Sequence, residues 1–237
     1  MAKKQKKQKW EIVIKDRFLT NEKPDNPYAT AFLYFVVFLL SFLLVFVCFF
    51  QLCEVQKTSM MNTLKDGDSV LLLRVNSSYK RGDIVVITKK DENGGATNII
   101  KRIVAVGGDT IRFDIADDGA TVLFYLKKGE EQPFRLQEES YIREPMDRTR
   151  DGFKHTYEDF EFGKEIKIEK GFFFALGDNR NDSLDSLQDG PYNVANIYAK
   201  SVLTIEKNTF LEWVLKLLYH DNNTVDGASV LRPALLR

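Results

Sequence analysis

The sequence predicts a mostly β domain carried behind one N-terminal transmembrane helix. Three observations predict it. Ala31 to Phe50 (AFLYFVVFLLSFLLVFVCFF) is uncharged throughout. From residue 54 onward, short segments rich in β-branched residues are separated by turn formers, with no regular alternation of strand and helix. No cysteine follows Cys53, so the C-terminal part must be held by an apolar core and not by disulfides.

Residues 1–28 form a basic tail that ends in the turn-rich NEKPDNPY. Residues 29–53 form the anchor. Its 20-residue uncharged core at ~1.5 Å per residue covers about 30 Å, the thickness of a bilayer interior. Ser41 is its one clearly polar residue, and a helix can satisfy that hydroxyl on its own backbone. A core helix of a soluble protein would keep a polar stripe, which this run lacks. A cleaved signal would have a shorter apolar stretch, and the following QLCEVQK lacks a small-x-small cleavage pattern. Lys and Arg number eight in residues 1–28 against two, Lys57 and Lys65, in residues 51–70. That bias predicts a single-pass protein with a cytoplasmic N-terminus and an extracytoplasmic C-terminal domain. Cys48 and Cys53, five positions apart, face different sides of a helix and read as apolar fillers.

The second domain spans 54–206. DSVLLLRV (68–75), DIVVIT (83–88), NIIKRIVAV (98–106), GFFFAL (171–176) and IYAKSVLTIE (197–206) read as strands. Thr110–Ile115 and Thr121–Leu126 flank an Asp-Asp-Gly turn and read as a hairpin. It opens a region, about 113–168, in which residues 127–168 are charged and turn-rich without a clear order. Residues 207–237 form an amphipathic C-terminal segment. In it FLEWVLKLLYH (210–220) has helical spacing, is too short to span, and suits a helix lying on the membrane or on the domain.

Charge balance, 34 Lys+Arg against 34 Asp+Glu, gives no basic footprint for nucleic acid. His155 and His220 are the only histidines, so a Ser-His-Asp triad has little to draw on. No clustered His/Cys/carboxylate set suggests a metal. A serine nucleophile would therefore need another base. Ser59 lies nine residues beyond Phe50, at most about 30 Å of extended chain from the bilayer core. Strand alternation sets Ile99, Lys101 and Ile103 on one face and Ile100, Arg102 and Val104 on the other. A lysine between apolar neighbours is desolvated, its pKa falls, and its neutral amine can take a proton from a serine hydroxyl. The loop Gly177–Ser186 (GDNRNDSLDS) packs Asp178, Arg180, Asp182, Ser183, Asp185 and Ser186 behind an apolar strand, a density suited to bracing such a lysine.

These three segments, in this order behind an anchor, resemble the bacterial type I signal peptidases over roughly residues 30–205. Ser59-Met60-Met61-Asn62-Thr63-Leu64 is similar to the family's Ser-Met-x-Pro-Thr-Leu. Lys101-Arg102, followed by Gly107-Gly108-Asp109, is similar to its base strand and turn. Gly177 to Ser186 is similar to its Gly-Asp-Asn-Arg-x-x-Ser-x-Asp-Ser-Arg. The resemblance implies coiled antiparallel sheets and a Ser/Lys dyad that removes signal peptides from secretory preproteins. Ser59 would be the nucleophile and Lys101 the general base. Ser183 would hydrogen-bond Lys101, Asp178 would pair with Arg102, and Asp185 would complete the supporting set. No cofactor and no metal are implied. The expected partners are signal peptides, the bilayer of the cell membrane and the secretion machinery.

Three positions depart from the pattern. Lys57 stands two before the nucleophile, in the oxyanion region it shares with Ser59, where Gly or Ser is usual. Asn62 replaces proline, and Leu187 replaces the arginine that usually partners Asp185. They motivate an alternative, a catalytically impaired membrane scaffold, against which Ser59, Lys101 and Ser183 stand intact. A self-cleaving repressor-type Ser/Lys peptidase is a third reading, but it needs a DNA-binding domain where this chain has an anchor.

Overall fold

The computed structural model describes residues 26–61, 63–74, 78–90, 95–117, 120–131, 134–136, 139–142, 144–146, 157–158, 160–220, 228–230 and 232–233. Asn62 and His155 lie outside them, as do residues 1–25 and parts of 113–168 and 207–237. The chain divides into two compact units, 1–46 and 47–237.

Helix α1 runs from Pro27 to Phe49, about 35 Å at ~1.5 Å per residue. Asn26 caps it, its Oδ1 accepting from Tyr28 N–H at 3.0 Å and Ala29 N–H at 3.3 Å, and proline suits the first helical position. Ser41 Oγ donates to Val37 O at 2.8 Å, so its hydroxyl is satisfied within the helix. Of the whole helix only Val47 is buried, and its length and apolar composition suit a membrane span. The helix stops four residues short of the expected anchor boundary. Phe50–Val55 is strand β1, paired antiparallel with β2 (Ser69–Leu73) from Phe50↔Leu73 to Glu54↔Ser69. Arg74 N–H donates to Phe49 O at 3.0 Å, taking a carbonyl that the helix leaves open. Cys53 is fully buried in β1, and burial pushes its thiol up to about 12.

The second unit is mostly β. Its further strands are β3 (Ile84–Lys90), β4 (Ala96–Val106), β5 (Thr110–Ile115), β6 (Thr121–Leu126), β7 (Arg135–Leu136), β8 (Glu165–Lys167), β9 (Phe172–Leu176), β10 (Tyr192–Asn193) and β11 (Ile197–Ile205). Short β12 (Tyr219–His220), β13 (Ala228–Val230) and β14 (Arg232–Pro233) follow. Among the described residues the main sheet has the order β10-β9-β4-β3-β11-β2-β1-β13, and a second sheet has β7-β6-β5-β8, all pairs antiparallel. The β5–β6 hairpin pairs from Thr110↔Leu126 to Ile115↔Thr121, the register its alternation predicts.

The main sheet buries both faces. Val55, Met60, Leu64, Leu72, Val86 and Ile100 form one core. Val85, Ile87, Ile103, Phe173 and Ala175 form another, with Ile99 against it. Ile99 and Ile103 thus share a face and Ile100 takes the other, as the period of two requires. The second sheet closes a third core, in which Phe113 meets Phe160 edge-on at 5.3 Å.

Helix α2 (Ser186–Asp189) is a single turn held by a capping box. Helix α3 (Phe210–Leu218) has Thr209 as its N-cap, accepting from Glu212 N–H at 3.3 Å. Its acid points inward. Glu212 is buried, accepting from Ser69 Oγ at 2.9 Å and Asn208 N–H at 2.7 Å, while Phe210, Trp213 and Leu217 face outward.

Candidate active site

Ser59 sits on the turn between β1 and β2. Met61 N–H donates to Thr58 O at 2.8 Å and Leu64 N–H to Met60 O at 2.9 Å. Met60 and Leu64 are fully buried, so the turn is pinned by two apolar plugs, each contributing roughly 1.5–3 kcal/mol of burial. Lys57 adopts φ 72°, a left-handed conformation that favours glycine, and its N–H donates to Asp66 Oδ1 at 2.9 Å. A glycine would take this conformation without strain, because the chain must turn sharply into Ser59.

Lys101 comes from the middle of β4 and is 3% exposed. Its Nζ lies 2.7 Å from Ser59 Oγ. Burial lowers its pKa from 10.5 to about 8, against the raising pull of the Asp185, Asp178 and Asp189 carboxylates, with the Lys57 ammonium lowering it further. The desolvation expected from its apolar neighbours is therefore present.

The next residue turns the other way. Arg102 Nε donates to Asp178 Oδ1 at 2.8 Å and Nη2 to Asp178 Oδ2 at 2.7 Å, with Asp178's side chain wholly buried. Thr63 Oγ1 joins at 2.5 Å from Asp178 Oδ2, tying the end of the nucleophile turn to the same pair. The expected Asp178–Arg102 contact is made.

The loop after β9 closes over Ser59. Asn179 N–H donates to Ser59 O at 3.1 Å, Asn179 Nδ2 to Thr58 O at 3.1 Å, and Thr58 Oγ1 to Asp182 Oδ2 at 2.6 Å. Gly177 is where the segments meet. A Cβ on it would lie 2.2 Å from Ser183 Oγ and 2.5 Å from Ser59 O, so no side chain fits. Asn179 and Thr63 were given no role by sequence, and only their place within the motif segments could have pointed to them; Asp182 was named only as one of the polar residues of the loop.

Two expected contacts differ. Ser183 Oγ makes no bond to Lys101; it is buried and, among the described residues, has no hydrogen-bond partner of normal geometry. It faces the Asp185 carboxylate closely enough to ease that charge. Asp185, beside Leu187 and not an arginine, takes backbone donors instead: Gly177 N–H at 2.9 Å and Leu187 N–H at 3.1 Å. Burial still raises its pKa. Leu187 itself is buried with Phe160 and Phe174 in the third core, so the position is used for packing and not for charge.

A serine hydroxyl against a buried amine of lowered pKa, with both segments locked by a bidentate ion pair and a glycine crossing, can perform nucleophilic acyl transfer. Comparison with known proteins points the same way. The family description "Signal peptidase, peptidase S26" matches residues 28–205. The chain is 32% identical over 189 residues to thylakoidal processing peptidase 1, chloroplastic, of Arabidopsis thaliana, covering 73% of this chain and 46% of that protein. It is 30% identical over 174 residues to signal peptidase I of Bacillus licheniformis, covering 71% and 84%. It is 31% identical over 172 residues to signal peptidase I T of Bacillus subtilis (strain 168), covering 70% and 79%. The chain spans less than half of the plant peptidase but most of each bacterial one. The chain belongs to the signal peptidase, peptidase S26, family.

Proposed function

We propose that this chain is a membrane-bound serine endopeptidase that removes signal peptides from secreted precursors, with Ser59 as nucleophile and Lys101 as general base. The observation that carries this is the 2.7 Å separation of Lys101 Nζ and Ser59 Oγ at a buried lysine. Neutral Lys101 takes the Ser59 proton while Oγ bonds to the scissile carbonyl carbon. Collapse of the tetrahedral adduct expels the new amine, which receives that proton from Lys101. Water then attacks the acyl-Ser59 ester, giving its proton to Lys101, and Ser59 leaves reprotonated. The Ser59 N–H serves the oxyanion; one such donor is worth about 3–4 kcal/mol. Arg102, Asp178, Ser183 and Asp185 support the pair.

The domain reading follows the same lines: a basic tail (1–28), an anchor (expected over 29–53, its helix ending at Phe49), a peptidase domain (54–206, to which β1 adds residues 50–53) and a C-terminal segment (207–237). The N-terminus is cytoplasmic and the peptidase domain extracytoplasmic at the cell membrane, beside the secretion machinery. The outward Phe210, Trp213 and Leu217, an exposed apolar face on a helix too short to span, rest on that bilayer.

Proteoliposomes holding the chain should trim a secretory precursor at its signal peptide. Ser59→Ala and Lys101→Ala should each lower turnover by ~10³-fold or more. Processing that persists in either variant refutes the dyad.

A further inference from the structure

The segment Glu139–Ile142 lies in the charged stretch to which the sequence assigns no order, yet it reaches both arginines of the site. The Glu139 carboxylate accepts from Arg180 Nη1 at 2.8 Å, from Arg180 Nη2, and from Tyr141 Oη at 2.8 Å. Both partners are buried, Arg180's side chain 4% exposed and Glu139's 8%. Arg180 Nε donates to Gly177 O at 3.1 Å, and Gly177 N–H donates to Asp185 Oδ2 at 2.9 Å. The ring of Tyr141 lies 4.0 Å from the guanidinium carbon of Arg102, which holds Asp178. Ile142 N–H closes the turn on Glu139 O at 3.0 Å.

We propose that Glu139 and Tyr141 are positioning residues of the catalytic loop. Glu139 neutralises Arg180 and aims it at the Gly177 carbonyl, and Tyr141 backs the Arg102–Asp178 pair. The leverage lies at Gly177. There is no slack between it, Ser183 and the Ser59 carbonyl, so a shift of its peptide passes to the nucleophile turn. The charge balance adds to this. Leu187 is apolar and buried, and Arg180 stands within electrostatic reach of Asp185. Asp185 is in turn the carboxylate that most raises the Lys101 pKa. Removing the Glu139 charge strands the guanidinium, turns it toward Asp185, and leaves more positive charge beside Lys101. The lysine should then lose its proton at lower pH.

This inference rests on the Ser59–Lys101 mechanism, and its test separates the two. Full-length chain in phosphatidylglycerol/phosphatidylethanolamine vesicles is assayed on a precursor peptide from pH 6 to 10. Glu139→Gln should lower kcat by ~10–100-fold with KM within about threefold, and should move the acid limb of kcat to lower pH. Glu139→Gln/Arg180→Gln removes the stranded charge and should return the limb toward the wild-type position. A passive structural role would lower kcat without moving the limb. An unmoved limb in Glu139→Gln, wild-type kcat in that variant, or no return in the double variant overturns the proposal while leaving the dyad intact. If Glu139→Gln does not fold, Tyr141→Phe carries the test: it loses only the Oη bond, and kcat should fall about 2–5-fold at constant KM. Wild-type kcat there overturns the proposal.

Discussion

Replacing Lys101 by methionine should abolish processing and stabilise the protein. The lysine's pKa falls from 10.5 to about 8 because burial disfavours the ammonium. At 1.36 kcal/mol per unit, that drop corresponds to ~3 kcal/mol. Between these values the unfolded chain binds more protons than the folded one, so stability rises with pH from about 8 to 10.5. Below about 8 both states are protonated and the full penalty is in force. Methionine fills similar volume and carries no charge, so at pH 7 it should recover ~2–3 kcal/mol, less what the lost Ser59 contact contributed. For a domain of this size that is ~4–12 °C in Tm. In the proposed mechanism the same shift supplies the neutral base. At pH 7 about 9% of a base with pKa 8 is neutral, against ~0.03% at 10.5, a gain of ~300-fold in competent enzyme. Wild-type kcat should rise about tenfold per pH unit and level near pH 8. Thermal unfolding in detergent, followed by tryptophan fluorescence, and initial rates across pH test both halves. A Lys101→Met protein that melts below wild type at pH 7, or a wild-type limb that levels only near pH 10, would refute the reasoning.

Two further outcomes follow from the same geometry. Gly177→Ala places a Cβ 2.5 Å from Ser59 O and 2.2 Å from Ser183 Oγ, so the loop must shift; ~1–3 kcal/mol of stability and over ~100-fold in kcat should be lost, read by melting and by single-turnover rates. Lys57→Gly relieves a left-handed lysine and removes an ammonium that lowers the Lys101 pKa, so the acid limb should move to higher pH while the plateau rate is kept; a large plateau loss would instead mark Lys57 as an oxyanion donor.

Much of this fold was readable where local pattern and final packing agree. The β5–β6 hairpin carries alternation and an Asp-Gly turn, and its strand ends fall where the pattern sets them. β4 likewise kept its faces. β1 was illegible because Phe50–Val55 continues the apolar run of the anchor; what makes it a strand is pairing with β2, a partner that no local window contains. Ser183 was placed by motif and expected to hydrogen-bond Lys101, and Leu187 stood where the resemblance puts an arginine partner for Asp185. The structure gives Asp185 to backbone donors and Leu187 to a core, because a capping box and a packed cluster satisfy those groups more cheaply than a buried arginine would.

The sequence by itself pointed to the membrane-spanning helix, the β class and the proposed pair Ser59 and Lys101, since a long uncharged run, period-two alternation and short motifs are local properties of a chain. The tertiary structure alone decided how the pair meets and what braces it. Ser59 and Lys101 stand 42 positions apart and Glu139 and Arg180 stand 41 apart. Contacts at such separations depend on strand register, on the β-bulge between Ile103 and Ala105, and on where a glycine lets two loops cross. Those are set by packing of the whole sheet, and no single segment encodes them.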